Sequence, residues 1–308
     1  MRTILFILTS LILLLPACNP RKIAWDWSEE WIVIDARRMG FDLIFLDYAV
    51  NPNTLEIEDN LPWKLGRSPE WSPDNKWIAS YLVLDENGDW NSYLQLMDTS
   101  SGQELDMADL NGHDPSWSPD GSKIAYSDDG KMFILDVTCL IAGEKCTPEP
   151  INITPGFNPD WSPDQSRIAY DYKGMIFLID SEGNGDPQAL ELEMEFCVEP
   201  EWSPNGTQIA ISCSYREIIG NIDKADVYIL SSYVSEFDTV RNYGDGISPH
   251  WSPDGSRLAI ISIRDDLGHA VSSDIQARGV FLIDLATDNV IRLNSVNDES
   301  VRSITWLH

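Results

Sequence analysis

Ser68-Pro69-Glu70-Trp71-Ser72-Pro73-Asp74 is the stretch that decides the architecture of this chain. It returns as Asp114-Pro115-Ser116-Trp117-Ser118-Pro119-Asp120-Gly121 and as Asn158-Pro159-Asp160-Trp161. It returns again as Glu199-Pro200-Glu201-Trp202 and Ser248-Pro249-His250-Trp251. A worn copy, Asp26-Trp27-Ser28-Glu29, lies near the N-terminus, and Ser303-Ile304-Thr305-Trp306 closes the chain. With Trp as the register mark, the steps are 44, 46, 44, 41, 49 and 55 residues. A period of this size means a propeller blade or a helical solenoid unit.

The apolar pattern separates the two. Short runs follow each turn: Trp77-Ile78-Ala79, Ile124-Ala125-Tyr126, Ile168-Ala169-Tyr170, Ile209-Ala210-Ile211 and Leu258-Ala259-Ile260. A second run follows at Leu43 to Asp47, Met132 to Asp136, Ile176 to Asp180, Val227 to Leu230 and Val280 to Asp284. These runs are short, β-branched and aromatic, and bounded by Gly, Asn, Asp or Pro, so they read as strands. Each repeat supplies about four strands, A to D, with A ending at the Trp. The expected fold is all-β: a six-bladed β-propeller of four-stranded antiparallel blades. Ser-Pro-Asp-Gly makes the A–B turn, with Pro presetting φ and Gly accepting φ > 0. The recurring Trp is expected to pack between neighbouring blades.

Blade 1 leaves two readings open. Its A strand is either Ile23 to Trp27 or Val301 to Trp306 brought round from the C-terminus, and the second is favoured. A gapless alignment of Lys22 to Asp35 onto Lys123 to Asp136 points elsewhere again.

The Trp-Ser-Pro-Asp-Gly-x-x-Ile-Ala-Tyr phrase resembles the TolB-type, WD-like (PD-type) propeller repeats, over about residues 23–306. The resemblance implies the fold and carries little about function. TolB has an additional N-terminal α/β domain for which the residues ahead of the first repeat leave no room. Its role is therefore not carried over.

The first residues read as an export signal. Arg2 precedes an apolar run from Ile4 to Leu15, too short to span a bilayer and suited to a signal peptide. Leu15-Pro16-Ala17-Cys18 resembles a bacterial lipoprotein box, which implies lipidation of Cys18; an ordinary cleaved signal is the alternative. The expected organisation is residues 1–17 signal peptide, 18–22 lipidated Cys and short tether, and 23–308 propeller. Four cysteines remain, an even number in an exported chain. Cys197 and Cys213 are equidistant from Asn205, the centre of a predicted hairpin turn, and so face each other across two strands. Cys139 and Cys146 bracket a short C–D loop. The expected pairs are Cys139–Cys146 and Cys197–Cys213, against free thiols.

Fifty acidic residues against 21 basic give a net charge of −29. That excludes nucleic acid and direct docking on an anionic membrane, so contact with the membrane is expected through the lipid alone. Catalytic signals are poor. His113, His250, His269 and His308 form no zinc spacing, and neither Gly-x-Ser-x-Gly nor a phosphate-cradling loop occurs. No enzyme activity and no obligatory cofactor are expected.

Propeller geometry opens the B–C and D–A loops on one face and the A–B turns and C–D loops on the other. The variable B–C loops are Asp85 to Asn91 with Trp90, Tyr215 to Ala225, and Arg264 to Arg278 with Asp265 and Asp266. The same face is expected to carry Glu70, Asp114, Asp160, Glu199, Glu201, Asp245 and His250. A ring of carboxylates at a channel mouth focuses negative potential. It suits a basic peptide, a partner's Lys/Arg patch or Ca²⁺, although no EF-hand spacing supports the ion. The leading expectation is a monomeric, lipid-anchored envelope propeller that binds a protein or peptide. A carbohydrate-binding or carbohydrate-processing protein is the alternative, and a structural spacer is third.

Overall fold

The computed structural model describes residues 30–38, 44–58, 66–86, 89–105, 107, 110–214, 225–231, 241–262, 279–293 and 299–307. These residues form six four-stranded antiparallel sheets, one per repeat. Strands A to D of blade 2 are Arg67–Trp71, Trp77–Glu86, Asp89–Asp98 and Glu104–Leu105. Blade 3 uses His113–Trp117, Lys123–Asp128, Lys131–Asp136 and Ile151–Pro155. Blade 4 uses Phe157–Trp161, Arg167–Tyr172, Met175–Asp180 and Gln188–Ala189. Blade 5 uses Phe196–Trp202, Gln208–Ser214, Asp226–Ser231 and Arg241–Asp245. Blade 6 uses Ile247–Trp251, Arg257–Ser262, Gly279–Asp284 and Val290–Arg292.

Blade 1 closes the ring with both termini. Its A strand is C-terminal, Glu299–Leu307, beside Trp31–Arg38, Ile44–Val50 and Ile57–Glu58. Trp306 pairs with Ile32 as Trp117 pairs with Ile124 and Trp161 with Ile168. The gapless alignment of Lys22 to Asp35 is therefore wrong. It would make Ile32 to Asp35 a third strand, whereas Trp31–Arg38 is the second and pairs on both sides. Similarity of residue type misled there, because what defines a second strand is an inner partner, and that partner comes from the other end of the chain. The Trp27 copy lies outside the described residues.

The Trp residues hold the blades together. All six A-strand Trp are between 3% and 8% exposed. Each sits in an apolar cluster built from two successive blades. Trp117 packs with Ala79, Leu94 and Leu96 of blade 2, and Trp251 with Ala210, Val227 and Ile229 of blade 5. The Trp306 cluster joins blade 6 (Ala259, Ile261, Leu282) to blade 1 (Ile32, Ile34), so the ring is closed by core packing. Indole N–H groups add a polar tie: Trp117 Nε1 donates to the Glu70 carbonyl, Trp251 Nε1 to Glu201 and Trp306 Nε1 to His250.

The A–B turn is a small hydrogen-bonded unit. Ser118 Oγ donates to Asp120 Oδ1 at 2.8 Å and accepts the Lys123 N–H at 2.9 Å, while Gly121 takes φ +71°. The same pair of bonds recurs around Ser72, Ser162 and Ser252, which explains why these serines are buried without cost.

Both expected disulfides are present. Cys197 and Cys213 are direct cross-strand partners with Cα atoms 4.1 Å apart. Cys139–Cys146 closes the C–D connection of blade 3 around the single helical turn Thr138–Ile141. A disulfide closing a loop of this size contributes about 3 kcal/mol, roughly 6 °C in a chain this long. We expect Cys197→Ser to lower the melting temperature by that amount in calorimetry. Equal melting of the oxidised and reduced wild type would contradict it.

One expected loop is a strand. Asp85 to Asn91 continues the B and C strands of blade 2 as a long hairpin, with Asp85 opposite Trp90 and Glu86 opposite Asp89. Asn87-Gly88 is the signal for a two-residue hairpin turn, and Leu82-Val83-Leu84 favours extension of the strand. Trp90 is thus a strand residue, not a loop residue; its side chain lies outside the description. So do residues 215–224 and 263–278, including Arg264, Asp265 and Asp266, and Cys18 with the N-terminal signal.

Candidate functional site: an acidic central channel

The A strands line a central cavity of about 520 Å³. Their bulges explain how they do so. In blades 2 to 6 the register with strand B slips by one residue within the x-Pro-x segment. The residue before each Pro sits in the left-handed region: Ser68 (φ 43°), Asp114 (50°), Asn158 (48°), Glu199 (55°) and Ser248 (48°). For non-glycine residues this costs about 1–2 kcal/mol each. Bulges re-aim side chains, and here they bring two tiers onto the channel. The outer tier, toward the B–C face, is Ser68, Asp114, Asn158, Glu199, Ser248 and Ser303. The inner tier, one step before each Trp, is Glu70, Ser116, Asp160, Glu201, His250 and Thr305. All twelve residues line the cavity.

The inner tier also braces the ring. Asp160 Oδ2 accepts the Trp202 N–H at 2.5 Å, and Glu201 Oε1 accepts the Trp251 N–H at 2.8 Å. Ser116 Oγ accepts the Trp161 N–H at 3.4 Å, and Glu70 accepts a backbone bond from Trp117. Glu70, Ser116, Asp160 and Glu201 thus each tie their own blade to the next. The other Glu201 oxygen meets His250 Nδ1 at 2.9 Å, and Asp160 Oδ1 receives Ser116 Oγ at 3.5 Å.

Electrostatics in this throat follow from burial and crowding. Burial, then the charges of Asp160 and Glu201, hold the Glu70 carboxyl well above its usual range against the Trp117 bond. Burial and the Glu201 charge push Asp160 up to about 8, against the Trp202 N–H and His250. Burial disfavours the His250 cation, but the charge and hydrogen bond of Glu201, with Glu199 and Asp160 beyond, outweigh it and raise its pKa.

The outer tier is a connected network. Glu199 Oε2 accepts from the Ser248 N–H at 2.9 Å, from Ser248 Oγ at 3.2 Å and from Ser212 Oγ at 3.3 Å. Asp171, at the end of strand B in blade 4, accepts from Asn158 Nδ2 at 2.7 Å and the Glu199 N–H at 3.1 Å. Burial pushes Asp171 up to about 7 despite those bonds, with the Glu199 and Asp114 charges adding. Asp114 contacts His113 Nδ1 at 2.7 Å and Ser68 Oγ at 3.3 Å. Burial opposes the His113 cation, but Asp114 outweighs it and raises the pKa. The rings of Tyr81, His113 and Phe157 neighbour one another here at centroid distances of 6.1 and 6.2 Å.

The structure therefore brings Glu70, Asp114, Asp160, Glu199, Glu201 and His250 to one cavity. Asp245 stands apart: it lies in strand D of blade 5 and receives Ser262 Oγ at 2.9 Å. It was grouped with the others because strand D ends one residue before strand A begins, so the linear distance misled. Asp171, Asn158, Tyr81 and Ser303 were not singled out from the sequence. Ser303 and Asn158 occupy the repeat position of Asp114 and Glu199, so the repeat alignment itself was the available signal. Asp171 carries no such mark. Among the described residues no three His, Cys, Asp or Glu side chains converge closely enough to hold a metal ion.

The molecule is thus a six-bladed propeller with an acidic central channel. Among solved structures it is similar to TolB from Acinetobacter baumannii, at 19% identity and TM-score 0.63 over 92% of this chain and 67% of that one. It is also similar to a putative TolB from Agrobacterium tumefaciens, at 19% identity and TM-score 0.56 over 91% and 99%. A chain of a nidogen/laminin complex matches at 9% identity and TM-score 0.61 over 91% and 98%. At these identities the likeness shows the fold, that of the TolB-type propellers. No protein-family model and no curated protein matches the sequence.

Proposed function

We propose that this propeller is an envelope binding module that receives a basic segment of a partner protein at the channel mouth. The observation that carries the reading is the lining of the cavity: among the described residues it holds five carboxylates and one His and no Lys or Arg, with the Arg67 guanidinium bonded to the lining residue Tyr81. A concave surface of one sign focuses potential and raises the local concentration of the opposite charge. The solved structures support a fold suited to binding, and the carboxylates are better read as binding than as catalytic groups. Each inner-tier carboxylate already spends one oxygen on the next blade.

Export through the N-terminal signal and anchoring through a lipid on Cys18 belong to this proposal, with the two disulfides in support. Trp31, the first residue of strand B in blade 1, pairs with Leu307 at the A–B end of the blade.

The test is capture of a partner by the soluble chain from Asn19 onward, at low and high salt, beside Asp114→Asn. Neutral isosteres are preferred to charge reversal, because Asp160 and Glu199 also accept backbone N–H groups. We expect affinity to fall about tenfold or more between 50 and 500 mM salt as screening shortens, and Asp114→Asn to weaken binding at low salt. Salt-independent binding would remove the electrostatic account. The carbohydrate alternative would rest on the Tyr81, His113 and Phe157 rings, and a glycan array reads it directly.

A further inference from the structure

We propose that Arg257 is a latch standing in for the A–B turn that blade 1 lacks, and that it holds strand A of this blade, Glu299–Leu307, as a releasable strap beside the channel. The inference goes beyond the binding reading and does not depend on it. Blade 1 differs from the others in how its two inner strands are joined. In blades 2 to 6 strand A runs into strand B through a tight turn, fixed by a buried Ser that donates to an Asp or Asn two residues on. In blade 1 strand B is Trp31–Arg38, so no turn joins it to Glu299–Leu307. Strands linked by a short turn stay close when their pairing opens, and strands distant in the chain do not. Chain entropy therefore makes strand A easier to undock in blade 1 than in its neighbours.

Arg257 occupies that junction. It opens strand B of blade 6, and its guanidinium meets three separate parts of blade 1. It lies over the ring of Trp306 in strand A, at 5.4 Å from the centroid. It pairs with Glu30, the residue ahead of strand B. It donates to Asn53 Oδ1 at 3.0 Å in the C–D connection. Asn53 is itself held, with its N–H on Asn51 Oδ1 at 2.9 Å and its Nδ2 on Glu30 Oε2 at 3.4 Å. A planar guanidinium suits this place, since it stacks on an indole while its N–H groups reach two acceptors. One side chain thus links strand A to the entry of strand B, as a turn does elsewhere.

The same position in blade 3 is the internal comparison. Lys123 opens strand B there and meets Glu182 of blade 4 at 2.9 Å. Lys123 and Glu182 are 27% and 63% exposed, against 16% and 29% for Arg257 and Glu30, so the blade 6 pair is the less screened of the two. Blade 4 also has its own A–B turn. Release of the strap has a direct consequence for the channel. Ser303 and Thr305 line the cavity, while Val301, Ile304 and Trp306 form the core between blades 6 and 1. Undocking removes one wall of the channel and bares Ile32 and Ile34, both fully buried in the closed ring. The junction of blades 6 and 1 is therefore where the ring yields.

The experiment is hydrogen–deuterium exchange of the disulfide-bonded chain, read by mass spectrometry on the segment Val301 to Leu307 and on strand A of every other blade. The variants are Arg257→Met, Glu30→Gln and, as the comparison, Lys123→Met. We expect Arg257→Met to speed exchange of the strap about tenfold and to leave the A strands of blades 3 to 5 within about twofold of wild type. Glu30→Gln should speed the strap about threefold through the weakened hold on Arg257, and should add nothing once Arg257 is Met. Glu30 lies on the surface, so this variant reads the latch even where Arg257→Met fails to fold. Lys123→Met should leave strand A of blade 4 unchanged, because its turn keeps it in place. Strap exchange unchanged in both latch variants would overturn the proposal. So would acceleration spread equally over all blades, which is general destabilisation, or a strand A of blade 4 loosened by Lys123→Met as much as the strap is by Arg257→Met.

Discussion

Thermal stability should peak near pH 5 and fall by about 5 °C or more on the way to pH 8. The sign follows from which state holds the protons. Glu70, Asp160 and Asp171 have folded-state values raised above those of the unfolded chain, Asp160 to about 8 and Asp171 to about 7. From about pH 4 upward the native state binds more protons than the unfolded state, so stability declines with pH until these groups have ionised. His113 and His250 are also raised, so their contribution is complete at low pH and lost as pH climbs through their folded values. The turn aspartates work in the opposite direction. Asp120, Asp164 and Asp254 are lowered, chiefly by Ser hydroxyls and backbone N–H groups, and their contribution disappears below about pH 4. One effective unit is worth about 1.4 kcal/mol, or roughly 3 °C in a chain of this size, and several groups share the sign. Calorimetry from pH 4 to 9 reads the profile. Asp160→Asn should flatten it and raise the melting temperature at pH 8. A melting temperature that rises steadily to pH 8 would contradict the electrostatic picture of the throat.

Removal of one blade-joining indole should be the most damaging single change. Trp251 is 3% exposed, packs on Ala210, Val227 and Ile229 of the preceding blade, and donates Nε1–H to the Glu201 carbonyl. Trp251→Ala leaves a cavity between blades 5 and 6 and orphans that carbonyl. Truncations of this kind cost about 3–5 kcal/mol, or roughly 6–10 °C here. Trp251→Phe should cost less, since it retains most of the apolar contact. A loss of under 2 °C for the Ala variant would mean that the Trp residues do not hold neighbouring blades together.

The repeat made the fold readable at the level of blades. A Trp at every step, a turn with a stated mechanism and two short apolar runs per unit leave one architecture, and the symmetric placing of Cys197 and Cys213 about Asn205 identified a disulfide in advance. Legibility failed where the signal was not local. The inner strand of blade 1 comes from the far end of the chain, and a gapless match of Lys22 to Asp35 onto blade 3 concealed it. The tip of the blade 2 hairpin was read as a loop because its polar residues outweighed Asn87-Gly88. For the channel, the residues preceding each Trp were chosen for their charge, and most do line it. Their second task, accepting the next blade's Trp N–H, follows from three-dimensional succession of blades and leaves no trace in composition. Asp171 lies in strand B, outside the repeated phrase, and only its contacts with Asn158 and Glu199 connect it to the channel.

The most direct measurement places a photo-crosslinking benzoylphenylalanine at Phe157, on the channel mouth, and in parallel at Glu182, on the A–B-turn face. Cells expressing each variant are then irradiated. Phe157 is half-buried with its ring stacked on His113 and precedes the channel-lining Asn158, and Glu182 is exposed and paired only with Lys123 among the described residues. The account predicts a specific protein adduct from position 157, weakened by Asp114→Asn, and none from position 182. An adduct from position 182 alone, or no protein adduct from either, would contradict the channel mouth as the binding surface.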